Sequence, residues 1–161
     1  MRTHCLLDSP VGPLTAVSQD GVLVGLYMAD QKHLPAPAAF GIRDDLALPE
    51  ARDQLAAYFA GELTGFTLPL LSTGTPFQRA VWAALREVPY GRTCTYGELA
   101  VAIGRPTAVR AVAAANGRNP VCVVVPCHRV IGADGSLTGY AGGLARKRLL
   151  LALEQGTPTA G

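Results

Sequence analysis

Cys127 stands directly before His128 in Val125-Pro-Cys-His-Arg-Val130, at the end of the apolar run Val121-Cys-Val-Val-Val125. A cysteine attacks carbon or binds metal as its thiolate, a minor species near neutral pH at an ordinary pKa of roughly 8.5, and a neighbouring base or cation enlarges that fraction. An imidazole next in the chain can act as that base, provided the fold turns it toward the sulfur. The same pair also suits an inert core cysteine, since a free thiol packs as a small hydrophobe. The rest of the chain has to separate the two.

Zinc is a poor fit for this pair. Cys122, Cys127 and His128 lack the second ligand pair that a structural site wants, and no CxxC occurs. At the other end His4, Cys5 and His33 form an incomplete set, so neither a metal nor a cofactor is expected. With no basic region and apolar core at Met1-Arg-Thr-His-Cys5, no secretory signal is visible, and the four cysteines read as free thiols in a reducing, cytoplasmic compartment. Apolar runs fall short of the roughly 20 residues that span a bilayer, so no membrane association is expected.

Charge divides the 161-residue chain. Residues 1–73 carry four basic against eight acidic side chains, or −4, and residues 74–161 carry ten against four, or +6. A polyanion, if one is bound, belongs to the second half; the alternative is an ordinary solvated basic face. Twelve of the 14 basic residues are Arg, which suits phosphate and base contacts or reflects a GC-rich genome.

The elements that must carry these residues follow from patterning. Residues 3–7, 14–18 and 22–28 read as an antiparallel meander with Asp20-Gly21 as a hairpin turn. A loop with Pro35 and Pro37 follows, then a helix over 50–60 with Leu55, Tyr58 and Phe59 on one face; residues 66–70 are a candidate return to the sheet. The turn formers of 71–76 mark a boundary. Beyond it, Phe77, Val81, Trp82, Leu85 and Val88 mark an amphipathic helix stopping before Pro89, its aromatics belonging to the core.

Thr95-Tyr-Gly-Glu98 has capping-box form and opens a short helix to Ile103. After Gly104-Arg-Pro106 a second short helix covers 107–116, so the pair has helix-turn-helix form, a pattern shared with many helical hairpins that bind nothing. Alanine crowds this second helix around Arg110. Helix propensity alone explains alanine, but small side chains would also let the backbone enter a DNA minor groove with Arg110 as the one long probe. Residues 131–139 read as an extended hairpin or wing, and 143–155 as a closing helix bearing Glu154.

Taken together, Tyr96-Gly-Glu-Leu-Ala, Arg110-Ala-Val, Asn116-Gly-Arg-Asn119-Pro, Pro126-Cys-His-Arg-Val, Gly139-Tyr-Ala-Gly-Gly143 and Leu-Leu-x-Leu-Glu154 resemble the O6-alkylguanine-DNA alkyltransferases, over all of 74–161 in order and spacing. Residues 1–73, with Asp8-Ser-Pro-Val-Gly-Pro13, look like the more variable N-terminal domain of the bacterial constitutive type. The resemblance implies an α+β chain. Its N-terminal domain, 1–73, would be ribonuclease H-like, with a small antiparallel sheet and a helix. The second, 74–161, would be a mainly helical, winged-helix-like domain that binds DNA and accepts the alkyl group.

The resemblance also implies roles. Cys127 would be the nucleophile, His128 its base acting through a water, Glu154 the orienter of the imidazole, and Asn119 a hinge tying the helix-turn-helix to the active-site segment. Guanine would be met by the Tyr96 hydroxyl at N3, the Ala141 amide at O6 and the carbonyls of Cys127 and Val130 at the exocyclic amine. Tyr140 and Gly142 would shape the pocket; Ala141 stands where many relatives carry Ser, and Cys122 where some carry Pro. Arg110 would fill the space left by a flipped nucleotide, with Thr107, Ala108, Ala111 and Ala114 against the minor groove.

Such a protein would act as a monomer on double-stranded DNA containing alkylated guanine, and O4-alkylthymine is a further possible substrate. It would be spent once, because water does not readily displace carbon from a thioether. A lesion-binding module without chemistry is the first alternative, and the presence of Cys127 argues against it. A thiol hydrolase is the second, and it leaves Arg110, the helix-turn-helix and the positive half unexplained.

Overall fold

The computed structural model describes residues 1–71 and 73–156. Ser72, inside the expected boundary segment, and the C-terminal 157–161 lie outside the described residues. Strands β1 (Arg2–Leu7), β2 (Leu14–Gln19) and β3 (Val22–Met28) form the antiparallel meander. At the β2–β3 turn both Asp20 (φ 51°) and Gly21 (φ 84°) have positive φ, the conformation that a two-residue turn needs to match strand twist. A short strand β4 (Ile42–Arg43) adds parallel to β1, giving the order β3-β2-β1-β4. The expected loop after β3 thus contains a strand, whose two exposed residues carry no alternation in the sequence.

Residues 66–70 return to the sheet only as a single bridge, Leu23 to Leu70. The outer edge of β3 is closed further along by the second half of the chain. Leu26 N donates to Pro120 O at 2.8 Å, and Cys122 N donates to Leu26 O at 3.2 Å. An exposed strand edge invites pairing with other chains, and this docking removes that hazard.

Helix α1 (Pro49–Phe59) buries Ala51, Leu55 and Tyr58, with Phe59 half-buried. Helix α2 (Pro76–Leu85) opens with a full capping box between Thr75 and Gln78 and ends four residues before Pro89, earlier than the apolar spacing suggests. Trp82 donates its indole proton to Ala115 O at 2.8 Å, pinning α2 to the fourth helix. After β5 (Cys94–Thr95), α3 (Tyr96–Ala102) starts at the expected Thr95–Glu98 capping box. Helix α4 (Val109–Gly117) begins two residues later than expected, because Ala108 takes a non-helical φ/ψ and leaves Thr107 in the turn. The wing is less regular than a hairpin: β6 (Val130–Ile131) pairs in parallel with β5, and the following turn closes through Gly132 N to Ser136 O at 2.9 Å. Helix α5 (Leu144–Glu154) ends the described chain.

One hydrophobic cluster runs across both halves, from Leu14, Leu26 and Tyr58 through Val81 and Val112 to Leu150. Val121 to Val125 are all buried in that cluster as consecutive turns, with Val123 at φ 70°. This buried run connects α4 to the Cys127 turn. No described helix is long and apolar enough to cross a membrane.

Candidate active site and nucleic-acid interface

Cys127, His128 and Arg129 form a single 3-10 turn, and all three are buried. Across from them the last turn of α5 presents Glu154, 5% exposed. His128 Nε2 lies 2.7 Å from Glu154 Oε2. Burial alone would raise the Glu154 carboxyl, but donors from His128, Arg129 and Tyr58 outweigh it and hold the pKa at about 2. An ionised carboxylate only accepts, so Nε2 carries the ring proton. His128 Nδ1 is left as the basic nitrogen, buried and without a hydrogen-bond partner among the described residues. Burial pushes the imidazole below its ordinary pKa against the opposing pull of Glu154, so the ring rests neutral, ready to take a proton.

The thiol is buried as well, and burial pushes its pKa up. Asn119, the Lys147 ammonium and Tyr140 act the other way and favour the thiolate. Cys127 and His128 therefore rest as a neutral pair, with Asn119, Lys147 and Tyr140 favouring the thiolate and Glu154 the imidazolium once the proton moves. Asn119 Nδ2 donates to Val125 O at 2.8 Å, and its Oδ1 accepts from Val121 N at 3.0 Å, so this side chain holds the segment leading into the cysteine. Asn116, at the end of α4, donates to Cys127 O at 3.4 Å. These two asparagines connect the helix pair to the thiol turn.

An open cleft of about 500 Å³ is lined by Tyr96, Ala114, Asn116, Thr138, Tyr140 and Ala141, and on the N-terminal side by Lys32 and His33; Asn116 and Tyr140 connect its wall to Cys127, which does not itself line it. The Tyr96 hydroxyl sits 3.3 Å from Thr138 Oγ1, at the cleft wall. The loop bearing Tyr140, Ala141 and Gly142 is fixed from the N-terminal half: Lys32 N donates to Ala141 O at 2.8 Å, and Arg146 Nη1 donates to Ala29 O at 2.7 Å. Val130 O accepts from Lys147 Nζ at 2.5 Å, which leaves one lone pair of this carbonyl for another donor. On α4 and the turn before it, Thr107, Arg110, Ala111 and Ala114 are exposed and Ala108 is half-buried, so these five residues mark an accessible surface beside the cleft.

Sequence reasoning missed three participants. Arg129 forks onto Glu154, Nε to Oε1 at 2.7 Å and Nη2 to Oε2 at 2.9 Å, and sends Nη1 to Val88 O at 2.7 Å. Lys147 is fully buried, its Nζ bridging Val130 O and Thr138 O. The α5 periodicity could have found it, since Lys147 shares the buried stripe of Leu150, Leu151 and Glu154. Tyr58 reaches Glu154 Oε2 at 2.5 Å from 96 residues away, a contact with no local signal. Among the described residues no cluster of three or more His, Cys, Asp or Glu could hold a metal ion.

A small sheet-and-helix unit packed on a helix-turn-helix unit, with a buried Cys-His-Glu chain joined to an open cleft, defines a thiol-dependent protein built to meet a large substrate at its surface. The model described as 6-O-methylguanine DNA methyltransferase, ribonuclease-like domain, matches residues 3–71, and that family's DNA binding domain matches 76–156. The chain belongs to the 6-O-methylguanine DNA methyltransferase family. It is 54% identical over 155 residues to the methylated-DNA–protein-cysteine methyltransferase of Mycolicibacterium paratuberculosis, covering 96% of this chain and 93% of that one. The crystal structure of Mycobacterium tuberculosis O6-methylguanine methyltransferase matches with a TM-score of 0.91 at 51% identity, covering 100% of this chain and 97% of that one. The structure of Mycobacterium tuberculosis OGT in complex with DNA matches at 0.92 and 51% identity, covering 98% and 96%.

Proposed function

We propose that this chain repairs DNA by transferring the alkyl group of O6-alkylguanine, methyl above all, to its own Cys127. The observation that carries this reading is the buried Cys127 turn joined to the cleft wall through Asn116, with the His128 proton held on Nε2 by Glu154 so that Nδ1 is the free base. The names of its relatives support the same reaction.

With the base extruded from the duplex into the cleft, the Cys127 proton passes through a water to His128 Nδ1 and the thiolate attacks the alkyl carbon in line. The new S–C bond forms as the C–O6 bond breaks, and the bonding electrons leave on guanine. The Tyr96 hydroxyl at ring N3 and the Ala141 amide at O6 stabilise that departing charge, each well-placed donor being worth about 3 kcal/mol. The remaining lone pair of the Val130 carbonyl takes the exocyclic amine, and the Cys127 carbonyl, bonded by Val130 N and by Asn116 Nδ2 at 3.4 Å, exchanges the long Asn116 bond for it, while Tyr140 and Gly142 bound the alkyl group. Asn119 holds the thiol turn in register.

On the DNA side, Arg110 occupies the gap left in the stack, and Thr107, Ala108, Ala111 and Ala114 lie along the minor groove. The protein works as a monomer in the cytoplasm and requires no cofactor.

Incubation with duplex bearing O6-methylguanine, followed by peptide mass analysis, tests the reading. One methyl on the Cys127 peptide and one equivalent of repair per protein are expected. Repeated turnover, or an unmodified peptide after repair, overturns it.

A further inference from the structure

Glu154 Oε2 is crowded. It receives the Tyr58 hydroxyl at 2.5 Å, His128 Nε2 at 2.7 Å and Arg129 Nη2 at 2.9 Å, whereas Oε1 receives Arg129 Nε at 2.7 Å. A carboxylate oxygen offers two lone pairs, so three donors on one oxygen share its electron density. The strength with which it holds any one of them depends on the other two.

We propose that Tyr58, from the N-terminal unit, is a positioning residue of the alkyl-transfer site, its hydroxyl setting how strongly Glu154 holds His128. This rests on the reading of Cys127 as alkyl acceptor and His128 as its base. Tyr58 is fully buried and its ring is fixed on three sides, edge-on to Phe59 and Tyr90 and tilted against Phe66. A Phe would fill that packing equally well. The hydroxyl has a cost when buried unless it is bonded, and the bond it makes is to the carboxylate that orients the imidazole. Burial and the neighbouring Glu154 charge push the phenol far above its ordinary pKa, so it remains a donor through the working pH range.

The other groups facing this chain set the direction of the effect. Arg129, whose guanidinium lies over the Tyr90 ring at 5.7 Å, and Lys147 on α5 both disfavour a charged His128, as does burial. Glu154 alone favours it. Tyr140 and Asn119 act on the Cys127 thiol instead. A donor that draws density from Glu154 therefore keeps His128 neutral and available at lower pH. Removal of that donor lets the carboxylate stabilise imidazolium and shifts the base out of action at higher pH.

The test is single-turnover methyl transfer from O6-methylguanine duplex, followed from pH 5 to 9 with the full chain. Tyr58→Phe is expected to move the acid limb up by about half a pH unit, roughly threefold in rate below the limb. Site-specific 3-fluorotyrosine at 58, a more acidic phenol and stronger donor, is expected to move it down. Because this second protein keeps both ring and hydroxyl, the sign can be read even if the Phe variant loses stability. Coincident acid limbs in the three proteins, each methylated on Cys127, overturn the role of Tyr58 alone. Failure of the wild type to methylate Cys127 overturns the transfer reading, and this inference with it.

Discussion

Glu154→Gln probes the densest polar contact in the molecule. The carboxylate ends four donor contacts from Tyr58, His128 and Arg129, and the amide replaces one acceptor oxygen by a donor nitrogen. In either orientation at least one buried donor then faces another, and Arg129, 7% exposed, loses its counter-charge. Breaking one partner of a buried pair costs about 3–5 kcal/mol. The donors that hold the Glu154 carboxyl down from 4.5 to about 2 correspond to a similar figure, about 3 kcal/mol.

Urea unfolding at pH 7 should therefore show the variant about 3 kcal/mol less stable, and thermal unfolding should fall by about 10 °C. Since the carboxyl titrates lower in the folded than in the unfolded chain, its contribution is complete above about pH 5 and is lost as pH falls toward 2. The stability gap between wild type and variant should accordingly narrow over that range. Methyl transfer should slow by about 100-fold, since the imidazole loses its charged orienter. A variant within about 1 kcal/mol of wild type at pH 7, or a gap that stays constant down to pH 2, would refute this account of Glu154.

Two further perturbations address the DNA surface and the cleft loop. Arg110→Ala should slow transfer on duplex by about tenfold or more yet change the rate on single-stranded O6-methylguanine by about twofold or less, because the cost of extruding a paired base arises only in duplex; equal rates of the variant and wild type on duplex would remove Arg110 from the proposed role. Gly142→Ala places a Cβ 2.5 Å from Met28 Sδ and 2.9 Å from the Tyr140 ring, two buried side chains that must shift to admit it. Overpacking of about 1–3 kcal/mol should lower the melting temperature by several degrees and slow transfer by displacing Ala141, as calorimetry and single-turnover kinetics would show.

Much of the local structure was legible in the residues themselves. The Asp20-Gly21 turn, the Thr95–Glu98 capping box and the apolar spacing of α1 and α2 depend on neighbours within a few positions, and the structure has each of them. Where short-range preference was weak, the reading slipped: Ala108 has no side chain with which to cap α4, and the two-residue strands β4, β5 and β6 owe their pairing to distant partners.

Cys127, His128 and Glu154 could be singled out from residue order and family resemblance. Only the tertiary structure decided what holds them. The Glu154 carboxylate is shared by Tyr58 from α1, His128 and Arg129 from the thiol turn, with Lys147 buried beneath two carbonyls of the cleft. A buried charge must find its partners wherever the packed chain brings donors together, and periodicity within one helix cannot say that residue 58 and residue 154 will meet.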